Sequence, residues 1–158
     1  MLRQRGPVRL IAIGRLKPGP ENELFERYNK RLRPRLTVTE LPDGHGAPTE
    51  IKRREADAIL AALPADAFAI ALDMGAPARS SEALAQLLAN WASAGKPLAF
   101  LIGGAEGLAR PALDRAQATL SLGPLTWPHM LVRVMLAEQL YRAQSILAGH
   151  PYHRTGRP

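Results

Sequence analysis

From Met130 to Ala148 the chain contains neither proline nor glycine, and Gly149 follows where a helix-ending glycine is expected. Plotted at about 3.6 residues per turn, its apolar side chains, among them Leu131, Val132, Val134, Leu136, Leu140 and Ile146, go nearly all the way round. A helix on a protein surface shows one apolar stripe. This one needs cover on most sides, and in a chain of 158 residues part of that cover is expected from a second copy, with Leu136 and Leu140 at the contact. Glu138, Arg142 and Ser145 interrupt the apolar surface together on one narrow face. Glu138 and Arg142 are four apart with the acid first, the favourable order for a helical ion pair. The pair either fixes the register of a dimer or borders a site, and both readings stay open.

Upstream, strand and helix patterns alternate. Val8 to Ile13 is an apolar run broken only by Arg9 and closed by Gly14, the pattern of a central strand. Glu21 to Arg33 places Leu24, Phe25, Tyr28 and Leu32 on one helical face before Pro34. Leu36 to Leu41 reads as a strand, Pro42 to Pro48 as a loop, and Glu50 to Leu63 as a helix stopped by Pro64. Ala67 to Leu72 is a further strand, and Ser81 is placed to cap a helix that faces Leu84, Leu88 and Trp91 inward until Gly95. A strand from Leu98, a short helix from Arg110 to Gln117 and a strand from Thr119 to Leu122 complete the series. With no repeat, low-complexity tract or linker, the expectation is an α/β fold: one domain over 1–158, a sandwich around a mostly parallel sheet.

The formal charge of +7 and the pI near 10.5 favour a polyanionic partner, most simply nucleic acid. Arg27, Lys30, Arg31 and Arg33 make one helix face basic. Together with Arg35 and Lys52-Arg53-Arg54, that face is either merely solvated or holds phosphates. The absence of cysteine excludes disulfides and thiolate chemistry. Arg3 and Arg5 have no apolar signal segment behind them, and no run approaches membrane-spanning length. A cytoplasmic protein without a membrane partner is expected.

In parallel sheets, ligands sit beyond the carboxyl ends of the strands. Three expected strand ends carry turn residues: Leu72-Asp73, Ile102-Gly103-Gly104 and the segment Leu120 to Gly123. Gly103 to Gly107 fits neither the phosphate-loop nor the dinucleotide-binding pattern. No Ser-His-Asp arrangement is apparent, and no metal is expected, because His150 and His153 flank Pro151 in a tail without further ligands. The residues alone thus reach a basic α/β protein with a backbone-lined pocket near its C-terminal loops, and no reaction.

Five stretches of this region carry a resemblance: Leu-Ile-Gly-Gly-x-Glu-Gly-Leu at 101–108, Leu-Thr-x-Pro-His at 125–129, Val-Arg-Val at 132–134, Ala-Glu-Gln-Leu-Tyr-Arg-Ala at 137–143 and His-Pro-Tyr-His at 150–153. In this order and spacing they resemble the ribosomal large subunit methyltransferase H family, of the SPOUT class. Ala-Ile-Gly-Arg-Leu-Lys at 12–17 and Ala-Leu-Asp at 71–73 extend the resemblance over essentially the whole chain. It implies transfer of a methyl group from S-adenosyl-L-methionine to N3 of a pseudouridine in 23S rRNA, on assembled ribosomes and by a homodimer. It also implies a C-terminal trefoil knot, an exception to unknotted topology, with the knot and cofactor loops at about 98–153. By matching positions, Leu72, Gly103, Leu122, Gly123, Pro124, Leu125, Thr126 and Trp127 are expected to line the cofactor pocket.

Methyl transfer from a sulfonium is an in-line displacement with an already activated donor. The protein mainly positions the reactants, an effect of up to ~7–11 kcal/mol, and helps N3 lose its proton. The candidate catalytic residues are His153, Tyr152, Arg142 and Glu138. Arg142 would stabilise charge on the uracil carbonyls, and His153 would accept the proton or hold the base. A tail that only packs is the alternative reading of residues 150–153. Two other functions stay open: a non-enzymatic basic protein that binds RNA or assembles ribosomes, and a SPOUT methyltransferase acting on a different RNA.

Overall fold

The computed structural model describes residues 6–155; Arg3 and Arg5 lie outside the described residues. Strands and helices alternate as β1 (Val8–Ile13), α1 (Pro20–Asn29), β2 (Leu36–Leu41), α2 (Pro48–Ala62), β3 (Phe68–Leu72), α3 (Ser81–Ser93), β4 (Leu98–Ile102), α4 (Arg110–Arg115), β5 (Ala118–Leu120) and α5 (His129–Leu147). The sheet order is β2-β1-β4-β3-β5, and every pairing is parallel. The steps β1→β2 and β3→β4 run one way along the sheet, and β2→β3 and β4→β5 run the other way. Right-handed crossovers therefore send α1 and α3 to one face and α2 and α4 to the opposite face.

The core follows this division. Leu10, Ala12, Leu98 and Phe100 meet Phe25 of α1, Leu84 and Leu88 of α3, and Leu136 and Leu140 of α5. Ile11, Ile13, Ala69, Ala99 and Leu101 meet Ile59 and Leu63 on the other face. Strands covered on both faces are apolar throughout, which is why β4 is buried at every position.

α5 packs against α1, α3 and β4, filling the trough that two same-face crossovers leave open. This placement explains its all-round apolar surface, since the sheet lies below it and a helix on each side. Leu136 is 0% exposed and Leu140 3%, so both belong to the chain's own core and not to a subunit contact as expected. Leu131, Val132, Met135, Tyr141 and Ile146 keep partial exposure.

Element ends differ from expectation for local reasons. α1 stops at Asn29, not Arg33, because the buried Asn29 amide ties the chain to β2. The Leu36 N–H donates to Asn29 Oδ1 at 2.8 Å, and Nδ2 donates to the Leu36 carbonyl at 3.3 Å. Ser80, not Ser81, caps α3 by accepting the Ala83 N–H at 3.1 Å, while the Ser81 hydroxyl donates to Gln139 at 2.8 Å. α4 ends at Arg115 because Gln117 is drawn to β3: its N–H donates to the Ala69 carbonyl and its Oε1 accepts the Ala69 N–H. β5 ends at Leu120, after which Ser121 turns the chain by accepting the Gly123 N–H at 3.0 Å. α5 closes on Gly149 at φ +72°. The His150 N–H reaches the Ser145 carbonyl at 2.8 Å and the Gly149 N–H the Ile146 carbonyl at 3.1 Å, the paired bonds of a Schellman motif. That motif turns the tail back along the helix.

Candidate active site

Because every strand is parallel, the loops after β3, β4 and β5 leave the sheet at one edge. They enclose a cleft of about 370 Å³ whose lining includes Leu72, Gly103, Leu122, Gly123, Leu125, Thr126 and Trp127. Seven of the eight positions expected at a cofactor are thus brought together. Pro124 is exposed in the same loop and is not among the lining residues. Asp73, Met74, Gly104, Lys52 and His129 also line the cleft; the sequence marks Asp73 and Gly104 as strand-end turn residues, Lys52 as part of a basic run and His129 as part of the 125–129 stretch, but places none of them at a cofactor.

The glycines here have specific duties. A Cβ on Gly103 would lie 2.6 Å from the Gly107 carbonyl carbon and 3.0 Å from the Leu108 nitrogen. The turn folds directly onto Gly103, so only glycine fits. Gly123 sits at φ +100°, which lets Ser121 and Gly123 make their tight bend. Apolar groups rim the mouth: Met74 is 57% exposed, Leu125 67% and Trp127 39%. Large exposed apolar groups gathered at one cleft mark a ligand site.

Across the Leu120–Gly123 segment lies a second cleft of about 410 Å³, walled also by Tyr28, Arg79, Ser80, Ser81, Glu138 and Gln139. Behind it the four catalytic candidates form one hydrogen-bonded cluster. Arg142 Nε donates to Glu138 Oε1 at 3.0 Å, and Nη2 donates to the same oxygen. The Tyr152 hydroxyl also donates to Oε1, at 3.0 Å, and Gln139 donates to Oε2 at 2.9 Å. The Tyr152 ring stands edge-on to Tyr141 with centroids 4.7 Å apart, and the Arg142 guanidinium lies 4.9 Å from the Tyr152 ring centre. Ser145 takes no part: its hydroxyl donates to the Tyr141 carbonyl of its own helix at 2.9 Å.

His153 is held from both sides. Arg142 Nη1 lies 3.1 Å from its Nδ1, and Glu82 Oε1 lies 2.9 Å from its Nε2. Arginine has only donors, so Nδ1 must be the acceptor and the ring proton must sit on Nε2, pointing at Glu82. The hydrogen bond from His153 holds the Glu82 carboxyl down at about 2, helped by its own backbone N–H and by Thr155. Burial, with Glu138 second, pushes the Tyr152 hydroxyl well above the usual phenol range. Hydrogen bonding to Glu138 raises Arg142 further. In this arrangement His153 Nδ1 and both Glu138 oxygens already accept hydrogen bonds, and Tyr152 keeps its proton on Glu138. Arg142 uses three of its five N–H groups on Glu138 and His153, and the two that remain can meet a carbonyl or an anion. Glu82, 71 residues from His153, gave no signal in the sequence, because only folding brings α3 against the tail.

Arg133 was also not foreseen. It is 1% exposed and donates to the carbonyls of Ile13 (3.2 Å) and Gly14 (2.7 Å) and to Glu40. Glu40 in turn accepts the Leu16 N–H, so this buried cation fixes the loop that carries Arg15 and Lys17. Partial burial pushes Glu40 up, but hydrogen bonds from Arg133 and Leu16 together with the charges of Arg133 and Arg15 hold it below the usual carboxylate range. The expected basic face is divided, since α1 and α2 lie on opposite faces of the sheet. Arg33 turns its guanidinium onto the Lys30 and Leu32 carbonyls, Arg31 lies over Tyr141, and Arg54 pairs with Glu50.

Comparison with known proteins gives consistent matches. Residues 7–153 match the family model described as predicted SPOUT methyltransferase. A ribosomal RNA large subunit methyltransferase H from Gluconacetobacter diazotrophicus is 60% identical over 151 residues, covering 96% of this chain and 99% of the relative. The protein of the same name from Acidiphilium cryptum is 62% identical over 96% of each chain. Among solved structures, the SpoU methyltransferase AviRb from Streptomyces viridochromogenes in complex with AdoMet aligns at TM-score 0.48 and 11% identity, over 87% of this chain and 58% of that one.

Proposed function

Because the chain belongs to the SPOUT methyltransferase family and is most of the length of relatives named ribosomal RNA large subunit methyltransferase H, we propose that it transfers a methyl group from S-adenosyl-L-methionine to N3 of a pseudouridine in 23S rRNA. The observation that carries this reading is the convergence of three strand-end loops on one cleft, with the Arg142 cluster just across the Leu120–Gly123 wall. The residues present fit the cofactor. Gly103, Gly104, Gly107 and Gly123 bring loop backbone to the cleft, and Leu72, Leu122, Leu125 and Trp127 offer apolar surface for an adenine ring. When bound, the cofactor supplies an electrophilic methyl on a cationic sulfur.

The chain's own contribution is positioning and charge. The loops orient the ligand and exclude water around it. Arg142, held by Glu138 and lying over Tyr152, has two N–H groups left to donate. Held against the carbonyls that flank N3, they stabilise the anion left when the imide proton departs. His153 holds Arg142 through Nδ1, and Glu82 holds His153. The proton acceptor is then water or a group of the substrate, unless the tail opens to free Nδ1. A homodimer with cytoplasmic ribosomes as its substrate belongs to the same reading, supported by the half-exposed apolar residues of α5, as does the knot at the cofactor loops.

The test is calorimetric titration with S-adenosylmethionine, then transfer of labelled methyl to purified ribosomes and to tRNA. Binding with ribosome methylation is expected. No binding in a folded protein would return the chain to a non-enzymatic RNA-binding role, and labelling of tRNA alone would change the substrate. Light scattering should give twice the chain mass, and a monomer would remove the homodimer.

A further inference from the structure

Glu55, on α2, is the least solvated carboxyl among the described residues: it is 3% exposed, and its Oε2 has no hydrogen-bond partner. No cation bonds to it among the described residues, and its one donor is the Gly44 backbone N–H. Two glycines make room for it. A Cβ on Gly104 would lie 2.7 and 2.8 Å from its two carboxyl oxygens, and a Cβ on Gly44 would lie 3.2 Å from its Cγ. Gly44 belongs to the loop after β2, and Gly104 to the turn after β4 that lines the cofactor cleft. The side chain is therefore a buried wedge between two loops, and the turn that receives the ligand is seated on it.

We propose that Glu55 is a positioning residue, which as a neutral carboxylic acid holds the Gly103–Gly107 turn in its ligand-receiving shape and on ionisation releases it. The inference rests on the reading of this cleft as the cofactor site. A buried carboxylate with one donor and no counter-charge is costly, whereas the protonated acid carries no charge to solvate. The charged groups around it act in the same direction. Burial, then Asp43, hold its titration above the ordinary glutamate range, the Gly44 N–H opposes this, and Glu106 adds to the rise. Lys52, on its own helix, lines the cleft, and His129 lies beyond Asp43, around Gly14. Glu106 rides on the turn itself, so a charge on Glu55 pushes against the element it supports. For an acid raised on folding, the contribution is complete below the ordinary glutamate value and is lost as pH rises through the raised value.

The experiment uses the full-length chain with two ligands, cationic S-adenosylmethionine and S-adenosylhomocysteine, which lacks the sulfonium charge. Affinities are measured across the whole pH range in which the chain stays folded, starting near the ordinary glutamate value, together with hydrogen-exchange protection of amides 103–107 in the unliganded protein. In the parent chain both affinities and the protection should fall together as pH rises. Glu55→Gln, neutral and isosteric, should restore binding at high pH and flatten both profiles. Glu55→Ala should bind at least about tenfold more weakly throughout, with less protection at the turn. The proposal is overturned if E55Q keeps the parent's pH profile, if it binds as weakly as E55A, or if only the cationic ligand responds. Failure of the parent to bind either ligand would defeat the cofactor-site reading instead. The exchange profiles of parent and E55Q would then still decide the role of Glu55, as they would if E55A did not fold.

Discussion

On one side of the Leu120–Gly123 segment the cleft is made of loop backbone, glycines and apolar side chains. On the other side the Arg142 cluster is made almost wholly of side-chain hydrogen bonds, with Glu138 Oε1 accepting three of them. The difference sets what each side tolerates. A site built from backbone survives changes of neighbouring side chains but not the addition of a Cβ where the chain folds onto itself. A closed side-chain network tolerates its surroundings but not the loss of a member, because each departure leaves a half-buried polar partner unpaired.

The largest effect should come from breaking the backbone side. Gly103→Val should abolish S-adenosylmethionine binding while the circular dichroism spectrum stays that of a folded protein, because its Cβ strikes the Gly107 backbone at 2.6 Å. The clash is with the turn itself, not with space reserved for the ligand. Calorimetric binding within a few-fold of the parent would erase the distinction between the two sides.

Arg142→Lys should lower turnover by roughly 10²–10³-fold with cofactor affinity nearly unchanged, since an ammonium cannot bridge Glu138 and His153 while facing a substrate carbonyl. A parallel loss of cofactor affinity would show that the two sides are one site. His153→Ala should cost only about tenfold, because its Nδ1 already serves Arg142, whereas loss of a general base costs roughly 10²–10⁴-fold. A loss of a hundredfold or more would mean that the tail opens during turnover and His153 takes the proton.

Among proposed RNA contacts, replacing Lys52, which lines the cleft beyond β3, β4 and β5, should make the salt dependence of substrate binding shallower by about 0.7–0.9 in log–log slope. Replacing Arg33, whose guanidinium is spent on carbonyls, should not. The smallest effect is electrostatic. Glu82 is held at about 2 chiefly by His153, so its contribution to tail docking is present above the ordinary glutamate value and is lost as pH falls through about 2. An NMR titration of the Glu82 carboxyl should show this, and a midpoint in the ordinary range would mean that the tail is undocked in solution.

Strand runs, helix runs and the loops at strand ends were legible in the sequence because period and punctuation are local properties. Leu72, Gly103, Leu122, Gly123, Leu125, Thr126 and Trp127 were placed at the cofactor only through resemblance, and their convergence on one cleft agrees with that placement. The Glu138–Arg142 pair was readable because four helical residues bring the two together. What failed was the inference from composition to environment. An apolar helix surface asks for cover but does not say what supplies it.

By itself, then, the sequence determined the α/β alternation, the basic charge, the buried character of α5 and the glycine-rich strand ends of the last third. Only the tertiary structure decided that α1, α3 and the sheet cover α5, that Glu82 reaches His153 across 71 residues, and that Glu55 sits beneath Gly104 with no counter-charge among the described residues. Helix and strand patterns arise from contacts a few residues apart, which composition and spacing record. Burial, tautomer and charge state depend on which distant elements the strand order brings together, and no local pattern records that order.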